Sequence, residues 1–289
     1  MTTSTKSRKA KGKNKIYKYS AASADRHELY QLAVQNVESE IDFVDATYTK
    51  LRGKQATTLR EDFCGTAATA CEWIGRRDSN RGIGVDLDGP TLDWGREHNL
   101  DMLEADAADR VTLLERDVRD TGPEGQNVDI VLAMNFSYWI FQTRDGLREY
   151  FKSVLDSLPD TGLFMCDFYG GSEAMCEQEE TRKVNKHFKY IWDQHSYNPI
   201  TGEMDCKIHF KFPDGSMMEN AFEYTWRLWT LPEIRELLAE AGFEHVGVYW
   251  EGTDPDDEEE GNGEFEETLQ GDADPAYICY IVSQKKKQS

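Results

Sequence analysis

A turn between a predicted strand and a predicted helix carries residues suited to holding a ligand. Residues 61–67 read EDFCGTA, so that Glu61 closes the strand and Gly65 lets a ligand approach the backbone closely. The N–H groups that open the following helix attract polar ligands at such a turn. An ordinary strand-to-helix turn has the same outline, and this segment alone identifies no ligand.

A second carboxylate ends the next predicted strand. Residues 81–87 (RGIGVDL) predict a short buried strand, and Asp86 follows the first turn by about 20 residues. An acid at this place can accept both ribose hydroxyls of an adenosine. Capping of the next helix is the alternative role, and Asp88 fills it better. Asp86 is therefore the predicted ribose ligand, and Leu87 is predicted to pack on the adenine.

A third polar turn follows the third predicted strand, residues 111–114. There Asp117 can accept a hydrogen bond from the adenine amino group, and the Val118 N–H can donate to a ring nitrogen. A solvated loop acid is the alternative for Asp117, because most aspartates are exposed. Three such turns after three successive strands indicate one ligand site far better than any of them alone.

In these three turns, the chain resembles the class I methyltransferases that use S-adenosylmethionine (SAM). The first turn is similar to their E/D-x-G-x-G-x-G turn, with Phe63 and Ala67 in place of the first and last glycines. A bacterial group in this class carries LREDFCGTA, GVDLD, NFSYWIF, WRLWTLPEIRELL and YWEGTD as they stand here, over residues 22–282. The resemblance implies a Rossmann-like sheet of seven strands with a reversed last strand, and SAM bound over the strand C-termini.

The resemblance also implies which residues hold the cofactor SAM. Glu61 and Gly65 would face its methionine end, Asp86 its ribose, and Asp117 with Val118 its adenine. It implies no settled methyl acceptor.

The motif NFSYW at residues 135–139 follows the fourth predicted strand, at the edge that borders the transferring methyl group in this fold. It resembles the N-P-P-Y motif of enzymes that methylate amines of bases and glutamines, but Phe136 and Ser137 replace both prolines. We predict Asn135 and Tyr138 as catalytic residues, with Asn135 also contacting the cofactor. Tyr138, Tyr169 and Trp226 are the predicted acceptor pocket, because open α/β sheets bind ligands at the carboxyl ends of their strands.

Methyl transfer from a sulfonium mainly requires alignment of the acceptor with the methyl group, although a base helps an amine acceptor. Candidate bases are Tyr138, His187, His195 and His209, and a structural or exposed role is the alternative for each histidine. The aromatic residues near the strand ends suit a cation, with sheet packing as the alternative. The histidines show no metal-ligand spacing, so no metal is predicted.

The composition limits the classes of partner that the protein is expected to bind. The chain has 289 residues with 33 basic and 54 acidic side chains, a net charge of −21, which argues against a general nucleic-acid binder. No apolar run reaches membrane-spanning length. The six cysteines form no C-x-x-C pair and are predicted to be reduced, which indicates a cytoplasmic protein. We therefore expect a small-molecule acceptor; the alternatives are a protein or nucleic-acid N-methyltransferase and a non-catalytic SAM-binding protein.

The elements that position these residues follow from periodicity. Strands alternate with helices from residue 57 to residue 169, which predicts a doubly wound sheet, and residues 25–51 are predicted to form one helix. Alternating runs then predict three strands of an inserted antiparallel meander. The predicted regions are a disordered basic tail (1–21), a SAM-binding core with an N-terminal helical lid (22–169), an inserted substrate cover (170–229) and the end of the core (230–289). The last contains an acidic loop (251–275), in which residues 256–260 are predicted to be mobile.

Overall fold

The computed structural model describes residues 18–254 and 261–287 of the chain. The strands are β1 (Thr58–Asp62), β2 (Arg81–Asp86), β3 (Val111–Glu115), β4 (Ile130–Ala133), β5 (Leu163–Gly170), β6 (Gln178–Lys183), β7 (Lys189–Tyr197), β8 (Glu203–Lys211), β9 (Met217–Arg227), β10 (His245–Thr253), β11 (Gly261–Thr268) and β12 (Tyr277–Gln284). The helices are α1 (Arg26–Ala33), α2 (Val37–Arg52), α3 (Ala68–Arg76), α4 (Gly89–His98), α5 (Ala105–Ala108), α6 (Arg144–Ser157) and α7 (Leu231–Ala241).

The main sheet has eight strands in the order β11-β10-β12-β5-β4-β1-β2-β3. Strands β1 to β5 run parallel to one another, and β12 lies antiparallel between β5 and β10. All seven predicted strands are present, and the reversed last strand is confirmed. The parallel strands need cover on both faces. Helices α6 and α7 pack on one face, and α2 and α3 pack on the other.

The eighth strand, β11, corrects the prediction of an acidic loop over residues 251–275. Strand β10 continues to Thr253, and β11 pairs with it in an antiparallel hairpin. The many acids of this segment indicated a loop, but Phe265 packs on the main sheet: its ring centroid lies 5.7 Å from that of Phe43 and 4.7 Å from that of Tyr280. The acidic run at residues 256–260, predicted to be mobile, lies outside the described residues.

The predicted helix over residues 25–51 is in fact two helices, because its apolar residues serve two different cores. In α1, Leu29 and Ala33 pack with Phe210 of the inserted sheet. In α2, Ile41 and Val44 pack against the main sheet. One straight helix cannot serve both cores, and the chain bends between α1 and α2.

The insertion is a separate antiparallel sheet in the order β6-β7-β8-β9. The meander prediction is confirmed, with one strand more than expected; β6 reads QEETRK and offers no alternation of apolar and polar residues. Part of the predicted disordered tail belongs to this region, since the Tyr19 side chain is buried against Phe188 and the Ala21 N–H donates to Ser216. Residues 1–17 of that tail lie outside the described residues. Among the described residues, no helix has both the length and the apolar character needed to cross a membrane.

Candidate active site

The turn after β1 adopts a left-handed backbone at three positions. Phe63, Gly65 and Ala67 have φ angles of 58°, 52° and 57°. These are the three positions at which the E/D-x-G-x-G-x-G pattern has glycine. The left-handed conformation costs a residue with a side chain roughly 1–2 kcal/mol. Packing holds it here, since Ala67 is fully buried and the Phe63 ring contacts Tyr150 at 5.5 Å.

Glu61 lies at the end of β1 and is 5% exposed. Its carboxylate accepts a hydrogen bond of 3.1 Å from the Ala70 N–H, in the first turn of α3. Burial raises the pKa of Glu61 to about 8, although hydrogen bonds from Thr69 and Ala70 oppose that shift. Glu61 therefore connects the strand to the helix and presents a protonatable oxygen beside the turn.

A buried ion pair fixes the strand that carries this turn. Arg60 and Asp62 are each 1% exposed and form two hydrogen bonds of 2.8 and 3.0 Å. The Tyr150 hydroxyl donates to Asp62, and Arg60 donates to the Gly125 carbonyl. Since every charged atom of the pair has a partner of this kind, the end of β1 is held rigidly.

Asp86 ends β2 beside the same turn. One carboxylate oxygen accepts from the Gly65 N–H at 2.8 Å, and the other accepts from the Asp88 N–H at 2.9 Å. Each oxygen keeps a lone-pair direction for a further donor. Asp88 caps α4 as predicted, because its side chain accepts from the Thr91 N–H.

The turn after β4 is held by a residue that the motif analysis did not single out. The Asp167 carboxylate on β5 accepts hydrogen bonds from the backbone N–H groups of Asn135 and Phe136, at 2.7 and 2.9 Å. Both turn residues have a φ of 56°. Burial raises the pKa of Asp167 to about 7. A single acid in the apolar run GLFMCDFY is the sequence signal that marks it.

Two cavities lie over the carboxyl ends of the parallel strands. The first, here called the turn cavity, has a volume of about 510 Å³. Glu61, Gly65 and Asp86 form its floor, while Tyr30 and Gln35 approach from the N-terminal segment. These groups suit SAM: acidic side chains accept from hydroxyl and ammonium groups, and Gly65 leaves room beside the backbone. Gln35 Oε1 is buried and has no hydrogen-bond partner within residues 18–254 and 261–287, so the cavity also offers an unused acceptor.

The second, here called the aromatic cavity, has a volume of about 350 Å³. It lies between the main sheet and the inserted sheet, with carboxylates and many aromatic rings in its wall. Its lining comprises Tyr30, Ala33, Val34, Glu40, Asn135, Phe136, Asp167, Tyr169, Glu180, Arg182, Tyr190, Trp192, Ile208, Tyr224, Trp226, Ala276, Ile278 and Tyr280.

Four residues line both cavities and mark the place where the cavities meet, here called the junction: Tyr30, Asn135, Tyr224 and Trp226. Of the residues predicted for the acceptor site, Asn135 and Trp226 line both cavities and Tyr169 lines the aromatic cavity alone. Neither Tyr30 nor Tyr224 is among the site residues predicted from the sequence. Burial and the neighbouring Tyr224 raise the pKa of Tyr30, which keeps its hydroxyl protonated as a hydrogen-bond donor.

Tyr138 does not belong to the acceptor pocket, and that prediction is wrong. Its side chain is fully buried, its ring packs on Phe151, and its hydroxyl donates to the Asp167 carbonyl at 2.8 Å. The left-handed backbone at Phe136 turns Tyr138 inward, into a short 3₁₀ helix over Ser137–Ile140. With its hydroxyl used in this way, Tyr138 cannot act as a base.

The three candidate histidines lie elsewhere as well, since none is among the residues that line either cavity. His187 contacts Tyr19, and His195 is exposed. His209 is buried, and its Nδ1 accepts from the Asn220 N–H. These are the structural and exposed roles that stood as alternatives.

The residues predicted for adenine lie outside the turn cavity. Leu87 is 66% exposed, and Val118 is buried below the surface. Asp117 forms an ion pair with Arg119 at 2.6 Å, which lowers the pKa of Asp117. Their contact with adenine stays a prediction.

Solved structures match this arrangement over nearly the whole chain. A SAM-dependent methyltransferase from Clostridium acetobutylicum matches with a TM-score of 0.65 and 14% identity, over 90% of this chain and 97% of that one. The SAM-bound amino pentose methyltransferase CalS10 from Micromonospora echinaspora gives 0.62 and 15%, over 89% and 95%. The sugar N-methyltransferase KedS8 from Streptoalloteichus gives 0.60 and 15%, over 97% and 100%.

The chain has the class I methyltransferase fold. No protein-family model matches its sequence, and no curated protein matches it either. The turn cavity lies at the carboxyl ends of β1 and β2, and the aromatic cavity lies beside it, under the inserted sheet.

Proposed function

We propose that this protein transfers a methyl group from SAM to a small-molecule acceptor, at nitrogen or oxygen. The observation that carries the proposal is the meeting of the turn cavity and the aromatic cavity at Tyr30, Asn135, Tyr224 and Trp226. A cofactor in one cavity and an acceptor in the other would face each other there, which is the alignment that an in-line displacement needs.

The turn cavity is the proposed SAM site. Glu61 and Gly65 hold the methionine end and Asp86 the ribose, while Leu87, Asp117 and Val118 approach the adenine from the open side. SAM supplies an electrophilic methyl group on a sulfonium whose leaving group is neutral, so the protein's main work is alignment.

Two parts of the chain are proposed to close the site and exclude water. Helix α1 acts as the lid: the Gln31 side chain donates to Thr66 in the turn at 2.8 Å, and Trp94 of α4 donates to Asp25 at 3.0 Å. The inserted sheet forms the roof through Tyr224 and Trp226. Exclusion of water strengthens the polar contacts that orient the acceptor.

A small acceptor is supported by the limited volume and the cover of the aromatic cavity. The compared structures that act on an amino pentose and on a sugar support the same size class. A protein or nucleic-acid chain would need an open approach, and the net charge of −21 disfavours nucleic acid further. We also propose a cytoplasmic location, supported by six free cysteines of which five are buried.

Two measurements test the proposal. Calorimetry with SAM should give a saturable binding isotherm, and tritium from methyl-labelled SAM should pass into the metabolite-size fraction of a cell extract. Label in the macromolecular fraction would instead support a protein or nucleic-acid acceptor. Binding of SAM without transfer to any fraction would support a non-catalytic SAM-binding protein, and the absence of SAM binding would reject all three.

A further inference from the structure

We propose that the aromatic cavity takes a primary or secondary amine, which enters as an ammonium ion; this inference rests on the proposed function. Glu40, Asp167 and Glu180 contribute carboxylates to the cavity wall. The basic side chain in the same wall, Arg182, donates to the Ala33 carbonyl and lies 5.5 Å from the Tyr190 ring centroid. Its guanidinium is thus held by a carbonyl and an aromatic ring, and within residues 18–254 and 261–287 it forms no ion pair with any of these three acids.

Glu40 supplies the first argument. Its Oε2 atom is buried and has no hydrogen-bond partner within residues 18–254 and 261–287. A carboxylate oxygen buried in this way is unfavourable unless it is protonated or meets a cation. Burial raises the pKa of Glu40, which is the response of an acid that lacks a counter-cation. An ammonium group in the cavity would provide that cation together with N–H donors.

Asp167 supplies the second argument, because it lines the aromatic cavity and also binds the backbone of Asn135, where the two cavities meet. Asp167 is 8% exposed, and its carboxylate accepts from the N–H groups of Asn135 and Phe136, so that its position is fixed. Each oxygen keeps a lone-pair direction for another donor. The nearby Glu40 adds to the rise in the pKa of Asp167. The two acids thus share one electrostatic environment, into which a cation fits and an anion does not.

The aromatic wall suits the same ligand before and after methylation. Tyr224 stacks on Trp226 with ring centroids 4.6 Å apart, Trp192 lies 6.2 Å from Trp226, and Phe136 lies 6.0 Å from Tyr169. Aromatic faces attract ammonium ions, including methylated ones that have lost N–H donors. A phenolate or carboxylate acceptor would meet three carboxylates and electron-rich ring faces, both of which repel it.

The carboxylates also provide for the proton that an ammonium must lose. A carboxylate oxygen of Asp167 or Glu40 accepts one N–H proton and leaves a neutral amine with a free electron pair. The N–C bond then forms as the S–C bond breaks, and the electron pair of that bond returns to sulfur. The products are S-adenosylhomocysteine (SAH) and a methylated ammonium, so that charge and protons balance.

The test compares three probes of one shape, benzylamine, benzyl alcohol and benzoate, by calorimetry on protein saturated with SAH at pH 7. We expect benzylamine to bind at least tenfold more tightly than benzyl alcohol, and benzoate to bind most weakly. Glu40→Gln should weaken benzylamine at least threefold and leave benzyl alcohol unchanged. Glu38→Gln, an exposed acid on the same helix, is the matched control and should match the wild type.

Equal affinity for the amine and the alcohol, including a lack of binding by both, would overturn the amine proposal. Retention of the amine preference in both Glu40→Gln and Glu180→Gln would do the same. Failure of the wild-type protein to bind SAH is a different outcome, because it contradicts the proposed function itself.

Discussion

Asp86 accepts a hydrogen bond from the backbone N–H of Gly65 at 2.8 Å, across the ends of two neighbouring parallel strands. The acid proposed to hold the ribose is thus fixed by the turn proposed to hold the methionine end. Binding of SAM should depend on this pair as a unit.

We expect Asp86→Ala to weaken SAM binding by about 2–3 kcal/mol, the scale of losing hydrogen bonds to a charged group. Asp86→Asn should lose less, because one side-chain oxygen can still accept from Gly65. Calorimetry measures both. Asp93→Ala removes an exposed acid from α4 and should leave the affinity unchanged. Unchanged affinity in a folded Asp86→Ala protein would reject the ribose assignment.

Two glycine substitutions separate backbone strain from loss of cofactor space. Gly53 ends α2 with a φ of 66°, and Gly65 has a φ of 52°; a Cβ would meet no severe clash at either position. Each substitution by alanine should therefore lower the free energy of unfolding by roughly 1–2 kcal/mol. Only Gly65→Ala should also weaken SAM binding, since only Gly65 lines the turn cavity. Denaturant titration and calorimetry on both variants check this, and equal SAM affinity would contradict it.

Tyr138→Phe should lower the stability of the protein without changing the rate of methyl transfer. The variant loses the hydrogen bond to the buried Asp167 carbonyl, which is worth about 1 kcal/mol of unfolding free energy. Tyr138 lies outside the lining of both cavities, so SAM affinity and transfer rate should stay within about twofold of the wild type. A strong loss of transfer with unchanged stability would return Tyr138 to the active site.

The pH dependence of stability tests the buried acid Glu61. Its folded pKa of about 8 lies above the unfolded value near 4.5, so the folded state binds the proton more tightly. The stabilisation is complete below about pH 4.5 and is lost as the pH rises through about 8, by an amount on the order of 5 kcal/mol. Glu61→Gln should flatten this decline in the SAM-free protein.

The measurement for Glu61 is urea unfolding between pH 5 and pH 8.5. Glu97→Gln, an exposed acid on α4, is the control and should follow the wild-type curve. Asp167 also has a raised pKa, so part of the decline remains in Glu61→Gln. Parallel curves for the wild type and Glu61→Gln would contradict a raised pKa at this residue.

The sequence predicts the main sheet well because β4 is a continuous apolar run, β5 is apolar around a single acid, and polar turns follow the strands. Strand β1 reads TLRED and is recognised by the turn that follows it. The turn residues Glu61, Gly65 and Asp86 are predicted from the same pattern, because residues at the ends of neighbouring parallel strands lie at one edge of the sheet. Asn135 and Tyr138 show the limit of such reasoning. Both belong to one motif, but the left-handed backbone at Phe136 directs Tyr138 inward, and spacing along the chain does not reveal this reversal.

Long-range contacts account for the other misses. Tyr30 reaches the junction only because α1 leaves the main sheet to pack on the insertion, and nothing in its local sequence marks that path. In the sequence, Asp167 is one acid in an apolar strand, and only the structure shows that the turn after β4 donates hydrogen bonds to it. Such residues are recognised by their partners, which lie about 30 or more positions away in the chain.

Strand β11 has one further consequence, which concerns contacts between separate copies of the chain. Within the described residues it pairs with β10 alone, which leaves its outer backbone edge free to recruit another strand. Exposed edges of this kind favour aggregation unless charged side chains oppose the approach of a second chain. Glu264, Glu266 and Glu267 are all exposed on β11. Their mutual repulsion with an identical edge would keep neighbouring molecules apart in a crowded solution, and replacing them with threonine should make the protein prone to self-association.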